Sequence, residues 1–148
     1  MVHIKFSLDL NGQTDSLIKI VTDYENIHDY LPDQVSSVKV IKQNDKEVIT
    51  EELLKLSSIS LKIKQRSLHK KISDNKLCTE IVSGPVKGTI INIMFEKKDS
   101  GTIVYIDIDL KLGFKFKFLQ PLIKKYYKMF ITGTLYKINT RALQLQKS

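Results

Sequence analysis

The stretch FLQPLIKKYYKMFITGTLYKINTRALQLQKS, residues 118–148, decides how the rest of the chain is read. After Pro121 it runs to its end without another proline, and its spacing predicts one long helix. The apolar stripe read from the sequence is Leu119, Leu122, Ile123, Tyr126, Met129 and Phe130, followed on the same face by the small residues Gly133 and Thr134. A long helix with a gap in its buried face suggests a cover over a cavity.

The segments before it predict strands. Val2, Ile4, Phe6, Leu8 and Leu10 alternate with polar residues, as in a half-buried strand. Asn11-Gly12 ends that strand, Thr14 or Asp15 is positioned to cap a helix, and Leu17, Ile18, Val21 and Tyr24 recur at helical spacing. Ile27, Tyr30 and Leu31 suggest a second short helix, ended by Pro32. From Val38 onward the pattern is strand and turn. Val38–Val40, Val48–Leu56, Ile59–Ile63, Leu77–Val82, Thr89–Glu96 and Val104–Leu112 are separated by turn chemistry such as Asn44-Asp45-Lys46, Ser73-Asp74-Asn75 and Asp99-Ser100-Gly101. With the first strand this makes seven strands in an antiparallel sheet, two small helices after the first strand, and a long helix after the seventh. The last helix must cover the apolar face of the sheet. A single domain over residues 1–148 is the simplest organisation.

Composition narrows the function classes. Mean hydropathy is near zero, and no apolar run approaches the ~20 residues of a membrane span. The N-terminus alternates instead of forming a basic start and an apolar block, so a secretory signal is not expected. Cys78 is the sole cysteine, which makes a reducing cytoplasm the default expectation. The net charge of +8 favours anionic partners, yet only Arg66 and Arg141 are arginines, fewer than a dedicated nucleic-acid reader would carry.

Two local words carry a resemblance. Thr22-Asp23-Tyr24-Glu25-Asn26-Ile27-His28-Asp29-Tyr30-Leu31-Pro32 is one, and Gly84-Pro85-Val86-Lys87 is the other. With the final alternating strands and long helix, they make the chain resemble the START-like (SRPBCC) superfamily, and within it the polyketide cyclase/dehydrase and coenzyme Q-binding protein group. The resemblance covers essentially the whole chain. It implies an α+β helix-grip fold, with a bent seven-stranded antiparallel sheet wrapped around the C-terminal helix. It also implies a hydrophobic ligand. The group often has Phe where Val86 stands and a large aromatic near Ile93, so the smaller residues here would enlarge or reshape a cavity.

The expected ligand-binding residues are Ile91, Ile93, Phe95, Ile106, Ile108 and Leu110 from the strands, and Tyr126, Met129, Phe130 and Gly133 from the helix. The alternative is that these residues simply fill the core. Tyr126 would supply a hydrogen bond. Lys137 and Arg141 continue the helical line and are candidates for head-group contact, or else reach water at the helix end. No catalytic set is expected. His3, His28 and His69 lack metal-ligand spacing, no cofactor motif is present, and Asp107 and Asp109 share the polar face of their strand. Asp23, Glu25, Asp29 and Asp33 read as a solvated helix face. Glu52 is a candidate acid only if its register turns it inward.

Basic residues leave two partner readings. Lys115 and Lys117 alternate with Phe114, Phe116 and Phe118 and suit transient contact with an anionic membrane surface. Lys62, Lys64, Arg66 and Lys70 share a strand face. The expectation is non-enzymatic binding or transport of a lipid, quinone, isoprenoid or polyketide-like molecule. The rivals are a cyclase/dehydrase-type enzyme, which needs an inward carboxylate, His or Tyr, and a ribosome- or RNA-associated module.

Overall fold

The structure, a computed structural model, describes residues 2–30, 35–56 and 61–146. Seven strands form one antiparallel sheet in the order β1-β7-β6-β5-β4-β3-β2. They are β1 (Val2–Leu10), β2 (Val35–Gln43), β3 (Glu47–Leu56), β4 (Leu61–Ser73), β5 (Lys76–Ser83), β6 (Ile90–Lys98) and β7 (Gly101–Leu110). Helices α1 (Thr14–Val21) and α2 (Ile27–Tyr30) follow β1, joined by a 3-10 turn at Tyr24–Asn26. After β7 a 3-10 segment, Phe114–Leu119, leads into α3 (Gln120–Gln146). This is the α+β helix-grip arrangement. Leu31, Pro32, Asp33 and the Ser57-Ser58 break fall outside the described residues.

Register follows side-chain period. Ile4 faces Ile108 and Val2 faces Leu110 across β1 and β7, so both strands turn their apolar sets to one side. Pairing of β2 with β3 shifts register between Val35 and Ser37 and between Val40 and Lys42, and β4 with β5 shifts twice more. Such irregularities bend strands and strengthen twist. Gly84 has φ +109°, and a Cβ there would stand 2.9 Å from the Lys64 carbonyl oxygen. Only glycine fits that backbone and that approach.

The local words act as turn chemistry. Asn26 Nδ2 donates to both Asp23 carboxylate oxygens at 3.0 and 3.1 Å, and the Tyr30 hydroxyl donates to Asp23 Oδ2 at 3.3 Å. Asp23 therefore fixes the connection between α1 and α2 and is not merely a solvated group. Neither Thr14 nor Asp15 caps α1. Gln13 holds the cap position without a side-chain bond, and the buried Thr14 hydroxyl bonds Thr102 Oγ1 at 2.7 Å.

Two expectations about the C-terminal region are corrected. Phe114–Phe118, whose Phe and Lys residues alternate in the sequence as they would at a strand end with buried Phe side chains, is 3-10 helix, with Phe114 87% and Phe118 79% exposed. The buried stripe of α3 is also rotated from the one read off the sequence. Ile131, Leu135, Ile138 and Ala142 are buried, whereas Leu122, Met129, Tyr136 and Leu145 are exposed. Apolar residues occur on several sides of this helix, so its inner face could not be fixed by spacing alone.

The C-terminal half of α3 is packed and fastened. Ile131, Leu135, Ile138 and Ala142 join the core formed with Ile4, Leu17, Phe95, Val104 and Ile108. The buried Asn139 accepts from the Gly12 backbone N–H at 2.7 Å through Oδ1. Gly12 allows this approach, since a Cβ would lie 2.8 Å from that oxygen. Gln146 Oε1 accepts from the Gln13 N–H at 3.0 Å. Replacing Asn139 with Ala strands a buried donor and should cost ~1–3 kcal/mol. Urea unfolding measures this, and a change below about 0.5 kcal/mol, the range of ordinary surface substitutions, would contradict the clasp.

Candidate functional site

Beneath α3, from its first turns to Ile138, the sheet is not filled. One cavity of about 200 Å³ lies over the inner faces of β2 to β6, and a second of about 230 Å³ lies under Phe116–Ile123. Leu54, Gln65, Tyr127 and Phe130 border both. The strand period determines the wall: Thr50, Glu52 and Leu54 on β3, Gln65, Ser67 and His69 on β4, Leu77, Thr79 and Ile81 on β5, Ile91 and Ile93 on β6. From α3 come Tyr127, Phe130, Ile131, Thr134, Leu135 and Ile138; Val21, Tyr24 and Ile27 come from the α1–α2 region. The second cavity adds Pro85 and Val86 of the Gly-Pro turn, Leu112, Leu119, Leu122 and Tyr126, with Lys62 at its edge.

The expected ligand residues divide. Ile91, Ile93 and Phe130 line the first cavity, and Tyr126 and Phe130 the second. Phe95, Ile106, Ile108 and Leu110 point inward but are packed in the core, where α1 and the fastened half of α3 cover the β1-β7-β6 end of the sheet. Met129 is 63% exposed and does not face the cavity. Gly133 is half-buried and is no wall residue; its neighbour Thr134 is. These shifts are one error, a rotation of about 100°, one residue, around the helix. Lys137 is half-buried and Arg141 exposed; neither is a cavity wall, and the Arg141 guanidinium lies 5.5 Å over the Tyr30 ring.

A polar band crosses the apolar wall. Glu52 faces inward, paired with Gln65 across the strands. Burial pushes its carboxyl up to about 7, against the smaller opposing pull of hydrogen bonding with Ser67, Thr50 and Gln65. Its Oε2 has no hydrogen-bond partner, and neither does Thr134 Oγ1. Burial, and then the charge of Glu52, hold the Tyr127 hydroxyl well above the ordinary tyrosine range. His69 is satisfied at both nitrogens, Nε2 with Thr50 Oγ1 and Nδ1 with Thr79 Oγ1, each at 2.8 Å. Its ring stacks on Tyr24 with centroids 4.3 Å apart, and burial lowers its pKa to about 4. Burial also raises Tyr24 to about 12.

Spacing had a usable signal for this band. Placing Lys62, Lys64 and Arg66 outward puts Gln65, Ser67 and His69 inward on β4 by alternation. For Glu52 the signal is weak, because Val48, Ile49, Leu53 and Leu54 put apolar residues on both faces of β3. On the outer face of the sheet His3 lies between Asp107 and Asp109, with nitrogen–oxygen distances of 2.9 and 3.0 Å. That cluster joins residues far apart in sequence and does not touch the cavity.

The two buried titrating groups oppose each other. Glu52, raised from 4.5 to about 7, keeps its proton in the folded state, so its contribution is full below pH 4.5 and is lost as pH rises toward 7. His69, lowered from 6.5 to about 4, contributes fully above pH 6.5 and loses that contribution as pH falls toward 4. Each window spans on the order of 3 kcal/mol. Between pH 4.5 and 6.5 the two slopes cancel. In urea titrations across that window, Glu52→Gln should gain stability with rising pH and His69→Gln should lose it. Parallel profiles for both variants and the parent protein would contradict the assignment.

Comparisons with known proteins agree with this geometry. The family model described as polyketide cyclase / dehydrase and lipid transport matches residues 15–131. No curated protein matches the sequence. Among solved structures, TTHA0849 from Thermus thermophilus superimposes with a TM-score of 0.84 at 14% identity, covering 97% of this chain and 99% of that one. A START superfamily protein from Mycobacterium smegmatis gives 0.78 at 12%, covering 97% and 98%. The Zhui aromatase/cyclase from Streptomyces sp. R1128 gives 0.80 at 8%, covering 97% and 94%. At such identities these structures speak for the fold, and the family match over most of the chain speaks for descent. The chain belongs to the polyketide cyclase / dehydrase and lipid transport family.

Proposed function

We propose that this protein binds a largely apolar small molecule, of lipid, quinone, isoprenoid or polyketide-like character, between the sheet and α3, and carries it without chemical change. The observation that supports this most is the pair of adjoining cavities with a mainly apolar wall. Each 100 Å² of apolar ligand surface withdrawn from water contributes about 2.5 kcal/mol, and the free volume lets that gain be realised without unpacking the core.

The entrance is the 3-10 segment and the first turns of α3. Phe116, Leu119 and Leu122 wall the second cavity, while Phe114 and Phe118 project to solvent beside Lys115 and Lys117. Exposed aromatics with flanking lysines suit an anionic lipid surface, at about 1 kcal/mol per lysine near it. By contrast, Lys64 and Arg66 on the outer strand face share Glu51 at 3.7 and 2.9 Å. That pairing reduces the charge the face offers to a nucleic acid. Among the described residues no helix is long and apolar enough to cross a membrane.

A second reading, an enzyme of cyclase or dehydrase type, is favoured by one observation. An inward carboxyl at Glu52 titrating near 7 is a group that such proton transfer needs. A single assay separates the readings: transfer between vesicles of a fluorescent apolar β-hydroxy ketone, which a dehydrase would convert to the enone by removing the α-proton and releasing the hydroxyl as water. Transfer should be accelerated, more so with anionic acceptor vesicles, and lost in Leu54→Trp, which fills the shared wall. Mass spectrometry of the delivered molecule should show it unchanged. Loss of water from it would favour the enzyme, and no acceleration by the parent protein would overturn the carrier reading.

A further inference from the structure

The polar band offers hydrogen bonds that the protein itself leaves unused. Glu52 Oε2 and Thr134 Oγ1 are shut off from solvent without partners, and both side chains border the first cavity, one from the sheet and one from the helix. A buried polar atom without a partner is destabilising, and a bound molecule can relieve that. His69 is not equivalent, since both its nitrogens are already taken by threonines. We propose that Glu52 and Thr134 receive an uncharged polar group, a carbonyl or hydroxyl, of an otherwise apolar ligand, and that the cavity discriminates against ligands carrying a carboxylate. This rests on the ligand-binding reading above and specifies the ligand class.

The surroundings support it. Val38 and Gln65 pair with Glu52 across the strands, Thr50, Ser67 and Gln65 hydrogen-bond with it, Tyr127 lies within its electrostatic reach, and His69 and Tyr24 share the cavity wall with it. None of these is a cation at neutral pH: His69 is held neutral, and the tyrosines are held protonated. Glu51, Lys64 and Arg66 occupy the opposite face of the sheet, where Glu51 accepts from Arg66. Lys62 stands at the edge of the second cavity and is not a wall of the first. A ligand carboxylate in the first cavity would thus meet no compensating charge and would face Glu52. Two desolvated like charges strongly disfavour each other. A ketone oxygen instead accepts from the Glu52 carboxyl while it holds its proton, and the Thr134 hydroxyl can donate as well.

The direction with pH follows. Glu52 titrates near 7, so a ketone loses its donor as pH rises through that value. The test is displacement of an uncharged fluorescent probe, aminoanthracene, by a long-chain methyl ketone and by the fatty acid of equal length. Ketone affinity should fall by ~10-fold between about pH 6 and about pH 8.5. At the higher pH the ketone should still bind at least ~10-fold more tightly than the fatty acid. Glu52→Gln, which keeps an N–H donor at every pH, should remove the pH dependence and narrow the gap. Thr134→Val should weaken the ketone at both pH values. Equal affinity for ketone and fatty acid, or an unchanged pH profile in Glu52→Gln, overturns the proposal while leaving ligand binding standing. Failure of the probe to bind the parent protein overturns both.

Discussion

One helix has to cover the inner face of seven strands, and it cannot fill it. The 27 residues of α3 are bound tightly only along their second half, where Ile131, Leu135, Ile138 and Ala142 enter the core and Asn139 holds the Gly12 N–H. The first half spans the β2–β6 side of the sheet with few buried side chains of its own. Packed interiors leave few voids, so cavities of about 200 and 230 Å³ beneath α3, from its first turns to Ile138, reflect how much of the sheet face one helix leaves unfilled.

The cavity's chemistry is set by what the strands turn toward that space. Burying a carboxyl is expensive, and the molecule meets the cost partly by keeping Glu52 protonated to about pH 7. The neighbouring imidazole is handled differently: two threonines satisfy it, a tyrosine ring stacks on it, and it stays neutral. One buried titrating group is closed off by its neighbours and the other is left with an oxygen facing the cavity. This asymmetry leaves Glu52, and not His69, with an unused hydrogen-bonding atom.

Much of this was legible in the sequence, for physical reasons. Clean alternation in β1 and β7 and the turns between strands predicted the sheet, because one wetted face and one buried face impose a period of two. The Thr22–Pro32 and Gly84–Lys87 words pointed to the fold through the resemblance they carry; the structure shows Asp23 holding Asn26 and Tyr30, and Gly84 in a backbone that favours glycine. The site was harder to read. Adjacent pairs such as Tyr126-Tyr127 and Met129-Phe130 offer an apolar choice on neighbouring faces of α3, and one residue's rotation moved the inward line from Met129 and Gly133 to Tyr127 and Thr134. On β3 the apolar residues occupy both parities, so only the pairing with β4 places Glu52 inside. Phe95, Ile108 and Leu110 have the inward direction expected of them, but direction along a strand does not say which part of the face the helix seals.

The central claim is that the space under α3 is a binding site for an apolar molecule, and native mass spectrometry of the gently purified protein tests it most directly. Spectra should show a fraction with added mass, released by organic extraction as a lipid, quinone or similar apolar compound, and absent from Leu54→Trp. Spectra of the unliganded mass alone, with no adduct after incubation with a panel of such compounds, would contradict it.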